Sequence, residues 1–349
     1  MKKVLATILA LVMALSVTTM AWADDVAKIG NTGYATLKAA IEHVADGETI
    51  VLTADVNNGD GIVVASGKNF TLDFAGHTYT ITQNVVGSTG TENQCFQLLR
   101  DSTITMKDGA IVANCTGAKM IIQNYCNLTL DNMKLDATVG DNNVGYVVSN
   151  NCGNVFIKNG TTITAKTTGV AFDVYGGFQN YGDVSVTLEA GATVNGKVEV
   201  ARDTGTQNKN TLTVTGGTVN GELVVTENEK TKVAVTGGTF STDVTEYLAE
   251  GKILQKNGDT YTAVTNSAIT SGTYTSEPTV PSGYKATKND DGTWTVSKVS
   301  YYYYQPTTDT KTDGTKGSPK TFDAGIALYV GMALTSAAGV AFVGKKRED

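Results

Sequence analysis

Arginine, histidine and proline are scarce in this sequence, and each shortage narrows what the chain can be. Arginine occurs only at Arg100, Arg202 and Arg347, and histidine only at His43 and His77. With two histidines, no Ser-His-Asp constellation can be assembled from neighbouring motifs. The formal net charge is −7, and phosphate binding needs clustered Lys and Arg that release counterions. Nucleic acid is therefore excluded as a partner. All four prolines, Pro278, Pro281, Pro306 and Pro319, fall in the last quarter. A long proline-free stretch rich in Thr, Val, Gly and Asn reads as sheet, where proline would remove ladder hydrogen bonds. Cys95, Cys115, Cys126 and Cys152 are the only cysteines. They show neither a CxxC nor a zinc spacing, and the sequence implies no metal and no cofactor.

What is present begins with a secretory signal. Lys2 and Lys3 precede an apolar run over residues 4–17, and Ala21-Trp22-Ala23 ends it before Asp24 and Asp25. Cleavage is expected after Ala23. Removing Lys2 and Lys3 leaves 25 basic residues against 34 acidic ones, a net of −9. An acidic exported chain fits a soluble, self-repelling surface protein.

Internal repetition is the strongest signal. A segment of alternating apolar residues followed by a polar or glycine turn recurs as TLDFAGHTYTI from Thr71, TITMKDGAIVA from Thr103, LTLDNMKLDA from Leu128 and VFIKNGTTITA from Val155. It continues as VTLEAGATVNG from Val186, LTVTGGTVNG from Leu212 and VAVTGGTF from Val233. Aligning Leu72, Ile104, Leu128, Val155, Val186, Leu212 and Val233 gives steps of 21 to 32 residues. Short period-two strands repeating at about 25 residues predict a solenoid of stacked coils. A β-sandwich also has many short strands but does not require one turn-bearing segment seven times.

A rod of this kind needs a cap over its open end. In YATLKAAIEHVADGETIVL, Leu37, Ala40, Ile41 and Val44 repeat at helical spacing, with Gly47 placed for a left-handed C-cap. The run over residues 30–81, with Tyr34, TLKAAIEHVADGETIVLTADV and KNFTLDFAGHTYTI, resembles the amino-terminal part of pectate-lyase-like right-handed β-helix proteins of Gram-positive cell surfaces. The style persists to about residue 264. The resemblance implies an all-β, right-handed parallel β-helix over residues 24–264. It does not fix activity, because the fold carries both polysaccharide lyases or hydrolases and inert adhesive shafts.

GGTFSTDVTEYLAEGKILQKNGDTYTAV from Gly237 is echoed by SGTYTSEPTVPSGYKATKNDDGTWTVS from Ser271, each with a hairpin signal, Asn257-Gly258 and Asp291-Gly292. Residues 265–300 are thus expected to form a small β-hairpin unit, and residues 301–317 an extended linker. Residues 324–343 are twenty uncharged positions, enough to span a membrane as a helix, followed by Lys345, Lys346 and Arg347. With Ser318, Pro319, Lys320 and Thr321 before it, the segment 318–349 resembles a sortase sorting signal of S-P-x-T-G type. Phe322 stands where that family has glycine. Sortase and peptidoglycan are the implied partners if Thr321 is cleaved; otherwise the apolar span is a permanent membrane anchor. Both place the rod on the cell surface.

The chemistry the fold invites needs carboxylates. A lyase of this fold uses calcium held by acids with Arg or Lys as base, and a hydrolase uses paired acids. Asp73, Asp101, Asp108, Asp131, Asp136, Asp141, Asp173 and Asp183 are available. Asp101 and Asp131, with Arg100 beside the first, are the catalytic candidates, against a reading of all eight as solvated turn acids. Asn124 and Asn150, 26 residues apart, suggest a side-chain ladder. Cys126 and Cys152 share the step, which predicts a disulfide or a stacked pair of free thiols. Tyr125, Tyr146, Tyr175, Phe178 and Tyr181 cluster in or near loops, either as a face for sugar rings or protein partners or as packing under the loops. The expectation is a non-enzymatic adhesin or glycan- or host-protein-contacting surface rod. The alternatives are a carbohydrate-active enzyme and a purely structural envelope component.

Overall fold

The computed structural model describes residues 25–300. The expected signal peptide, the expected linker over 301–317, the sorting-signal-like residues 318–322 and the apolar stretch 324–343 lie outside the described residues. Among the described residues, no helix is long and apolar enough to cross a membrane.

Each coil contributes up to three short strands, and like strands stack in parallel from coil to coil. The first stack runs through Thr49–Leu52, Asn69–Asp73, Thr103–Ala113, Asn127–Asp136, Gly153–Ile157, Val184–Leu188, Asn210–Val214 and Thr231–Val235. The second begins at Val56–Gly59 and ends at Thr239–Phe240, sharing the long strands Thr103–Ala113 and Asn127–Asp136, which turn the corner without a break. The third is a separate seven-stranded sheet of Ile62–Val64, Gln94–Leu98, Met120–Asn124, Tyr146–Asn150, Val170–Val174, Lys197–Val200 and Leu223–Val225. The repeat reading is thus realised as a parallel solenoid.

Alternation decides which side chains fill it. Leu72, Met106, Leu130, Ile157, Leu188, Val214 and Val235 pair in one continuous row and are all buried. Six of the seven aligned positions hold. The exception is Leu72, which pairs with Met106, while Ile104 faces Phe70. The offset is two residues, which preserves the inward face and so leaves the pattern unchanged in sequence. Corners need left-handed backbone. Gly153 has φ +87°, and a Cβ there would lie 2.3 Å from the Cys126 carbonyl oxygen of the preceding coil, so only glycine lets the coils close up.

The cap forms as expected, with a correction at its end. The helix Leu37–His43 buries Leu37, Ala40 and Ile41 against the first coil, and Val44 is buried just beyond it. Val44, in extended conformation, is the C-cap. Gly47 is left-handed at φ +78° but lies three residues on, in the turn where its N–H donates to the Asn69 carbonyl. The helix stops early because its apolar stripe is exhausted at Val44. At the other end, Thr36 Oγ1 accepts from Ala39 N at 3.1 Å. Thr36→Ala is expected to lower stability by about 1 kcal/mol, measured as a urea-midpoint shift at constant slope.

The last parallel pairing between strands joins Val219 to Phe240. There Thr260–Thr265 pairs antiparallel with Thr239–Phe240, forms a hairpin with Lys252–Asn257, and so covers the open sheet edge. Gly272–Tyr274 continues the sheet, followed by the hairpin Tyr284–Lys288 and Trp294–Lys298. Gly258 and Gly292 occupy the two hairpin turns at φ +60° and +85°. A second small core of Ile253, Ile269, Tyr274 and Val296 draws on both hairpins, so the terminal unit begins within the first sequence copy.

Candidate functional site

The third sheet delivers its strand ends to one edge of the rod, and five successive coils place there Arg100 and Asp101, Tyr125, Cys152, Tyr175, and Arg202. Strands ~4.8 Å apart put Arg100 and Arg202 roughly 19 Å from each other. Between them a loop over residues 176–183 leaves the coil and is pinned from both sides. Gly176 N donates to Asn210 Oδ1 at 2.6 Å, Asn208 Nδ2 to the Phe178 carbonyl at 2.8 Å, and Arg100 Nη1 to the Asn180 carbonyl at 2.8 Å.

This loop carries an aromatic group that stands partly in solvent. Phe178 is 42% and Tyr181 39% exposed. Their ring centroids are 5.6 Å apart; Tyr125 lies 5.1 Å from Tyr181 and 6.1 Å from Phe178, and Tyr175 6.1 Å from Phe178. Arg100 sits 5.0 Å over the Tyr181 ring. The rings pack on one another, and Phe178 and Tyr181 remain partly exposed. Desolvation pushes the Tyr125 phenol up to about 12, so it is a neutral donor at any ordinary pH.

Beside these rings is a cleft of about 260 Å³ lined by Arg100, Asp101, Tyr125, Cys152, Tyr181 and Asp183, among others. Asp183 is engaged: its Oδ1 accepts from Lys209 N at 2.9 Å, and its carbonyl from Gly153 N. Asp101, held at φ +63°, makes no side-chain hydrogen bond or ion pair among the described residues. Two other grooves, of about 580 Å³ beside Glu227, Glu229 and Tyr247 and about 380 Å³ beside Leu37, Asp55 and Tyr79, hold one aromatic ring each and no arginine.

The far end of the strip is built on a buried carboxylate. Asp173 is 0% exposed. Its Oδ1 accepts from Asn150 N at 2.6 Å, and its Oδ2 from Arg202 Nη2 at 2.5 Å and Ser149 Oγ at 3.2 Å. Burial outweighs these partners and pushes its carboxyl up to about 6. The guanidinium it holds lies 4.3 Å from the Tyr146 ring centroid and 5.0 Å from that of Tyr175. Tyr175 Oη in turn reaches Asp203 at 2.9 Å, and Tyr146 Oη reaches Glu199 at 3.1 Å. Asp173 is a seat for Arg202: with its oxygens committed inward, it offers no proton to a ligand.

Of the catalytic candidates, Arg100 and Asp101 meet in the cleft, and Asp131 is elsewhere. Asp131 pairs with Lys107, six residues along the strand from Asp101, a separation of about 20 Å at ~3.3 Å per residue. At that corner Lys107 bridges Asp73 at 2.6 Å and Asp108 at 3.0 Å, and the Asn132 amide followed by Lys107 holds Asp108 below the usual carboxylate range. This network ties neighbouring turns together. His77, in the turn between Asn69–Asp73 and Thr78–Ile81, lies 3.3 Å from Asp55, and His43, on the cap helix, bonds the Ala39 carbonyl. The asparagine ladder is present, Asn124 Nδ2 reaching Asn150 Oδ1 at 3.3 Å. Cys126 and Cys152 are both free thiols. Among the described residues, no three His, Cys, Asp or Glu side chains cluster as a metal site.

Compared with protein-family models, curated proteins and solved structures, the chain matches none.

Proposed function

We propose that the protein is a non-enzymatic, right-handed β-helix of the pectate-lyase-like kind, displayed on the cell exterior, that binds glycan chains through the Arg100–Tyr181 cleft. Export through residues 1–23 and retention through residues 318–349, by sortase or as a membrane span, complete the reading. The observation that carries it is the pinned ring group of half-buried Tyr125 with exposed Phe178 and Tyr181, beside Arg100 and an Asp101 side chain that makes no hydrogen bond. Aromatic faces accept the apolar faces of sugar rings, and a guanidinium with a carboxylate supplies the donors and acceptors that hydroxyl groups need. A loop pinned in place loses little freedom on binding.

A hydrolase is the second reading, favoured by one observation: Asp101 and Asp183 line the same cleft, and paired carboxylates are what glycoside hydrolysis requires. Glycan-array binding and reducing-sugar release by residues 24–300 separate the two. Binding without release is expected. Tyr181→Ala should weaken the best glycan ligand by about 2 kcal/mol, a factor of roughly 30. Unchanged retention by this variant and by Phe178→Ala would remove the cleft from the account, and sugar release lost in Asp101→Asn would establish the enzyme instead.

A further inference from the structure

The ring group beside Arg100 does not stop at the cleft. Arg100 and Arg202 each stand two residues past strand ends that pair in one row, Leu98, Asn124, Asn150, Val174 and Val200. Both arginines therefore occupy the same position of the coil, four steps and roughly 19 Å apart. Aromatic contacts bridge that interval without a gap: Arg202 lies 5.0 Å from the Tyr175 centroid, Tyr175 6.1 Å from Phe178, Phe178 5.6 Å from Tyr181, and Arg100 5.0 Å from Tyr181. The Arg202 side chain is 32% exposed, and Asp173 and Ser149 engage only its Nη2. Its Nε and Nη1 donors meet no acceptor among the described residues, while the buried carboxylate holds the group in place.

Building on the glycan-binding reading of the Arg100–Tyr181 cleft, we propose that the ligand is an uncharged, single glycan chain, several sugars long, lying along the rod from Arg100 to Arg202. Length follows from the strip, which is far longer than one sugar ring. Ring planes decide between a single chain and a packed surface. Phe178 is inclined at 53° to Tyr181 and at 73° to Tyr175, and Tyr125 at 47° to Tyr181. A flat face of packed chains cannot stack on all of them, whereas a single chain can turn from ring to ring. Charge decides the rest. Asp101 and Asp183 lie at the Arg100 end, and Asp173 and Asp203 at the Arg202 end, where Lys197 is already paired with Glu199 at 3.2 Å. The acids outnumber the two arginines, so a chain with a carboxylate on every sugar meets excess negative charge. Sugar hydroxyls instead meet donors on both guanidiniums and acceptors on Asp101 and Asp203.

The test is titration calorimetry of the full chain with di- and hexasaccharides of β-1,4-glucan, β-1,4-mannan, α-1,4-glucan and, as the charged comparison, α-1,4-galacturonan. At least one neutral hexamer should bind about tenfold or more tightly than its own dimer, and the galacturonan hexamer should bind more weakly than that neutral one. Tyr175→Ala removes the ring between Phe178 and Arg202 and should weaken the hexamer about tenfold more than the dimer. Tyr175→Phe keeps the ring and should keep the length dependence, which separates a lost contact from a damaged fold. Arg202 itself is left in place, because its removal strands the Asp173 carboxylate. A hexamer no tighter than its dimer, a galacturonan hexamer that binds tightest, or equal losses for dimer and hexamer in Tyr175→Ala would each overturn the extended strip. Those outcomes leave the cleft standing if Tyr181→Ala still weakens the glycan that binds. Absence of binding to all four series would take down the glycan reading together with this one.

Discussion

Arg202→Ala is expected to cost about 3–5 kcal/mol of stability at neutral pH, because it leaves the Asp173 carboxylate buried without a counter-charge. The pH dependence identifies the cause. Asp173 has a folded-state pKa raised to about 6, chiefly by desolvation, against ~3.9 in an unfolded chain. Between these values the folded state holds a proton that the unfolded state does not, so this group's contribution to stability rises as pH falls from 6 towards 4 and is lost as pH rises through 6. Without Arg202, the attraction that lowers the carboxyl is gone, the folded pKa rises further, and the penalty at pH 7 grows. Urea melts of Arg202→Ala should therefore show a large deficit at pH 7 that shrinks by pH 5. Adding Asp173→Asn should restore much of it at pH 7 with little remaining pH dependence. A deficit equal at both pH values would assign the loss to Arg202's packing between Tyr146 and Tyr175 rather than to the stranded charge.

That latch also shows where reading the sequence stopped. The first-strand motif was legible because its apolar alternation and glycine turn recur in seven places, and the rows from Leu72 to Val235 follow it. The third strand has no such signature. Gln94–Leu98, Met120–Asn124, Tyr146–Asn150 and Val170–Val174 are buried nearly throughout, so alternation is missing and the strand reads as an unremarkable apolar run. Its polar row, Gln97, Gln123, Ser149, Asp173 and Glu199, is in register across five coils. Steps of 24 to 26 residues between these positions carry the signal, but only after the first strands have fixed the coil length. The aromatic group was legible by composition, since Tyr175, Phe178 and Tyr181 fall within seven residues of one another in the chain. Its junction with Arg100 was not, because 80 residues separate Arg100 from Asn180 and only the loop's excursion back across three coils brings them together.

Leu130→Ala is expected to cost about 2–5 kcal/mol, and its consequences should spread further along the chain than those of a cap substitution. Leu130 is 0% exposed and stands mid-row between Met106 and Ile157. Truncation removes transfer free energy and leaves a cavity that coils above and below cannot fill, since their backbones are fixed by ladder hydrogen bonds on both sides. In a stacked array, stability is close to a sum of unit terms and nearest-neighbour interfaces, and Leu130 contributes to two interfaces. Ile253→Ala, in the terminal core of Ile253, Ile269, Tyr274 and Val296, removes a side chain of similar size from a unit with the array on one side only. Hydrogen exchange distinguishes the two. Leu130→Ala should raise exchange from Thr103–Ala113 through Gly153–Ile157 together, whereas Ile253→Ala should raise it in Lys252–Lys298 and leave the amides around Leu130 protected. Equal loss of protection throughout in both variants would mean that the rod unfolds as one cooperative block, and the nearest-neighbour description would then fail for this chain.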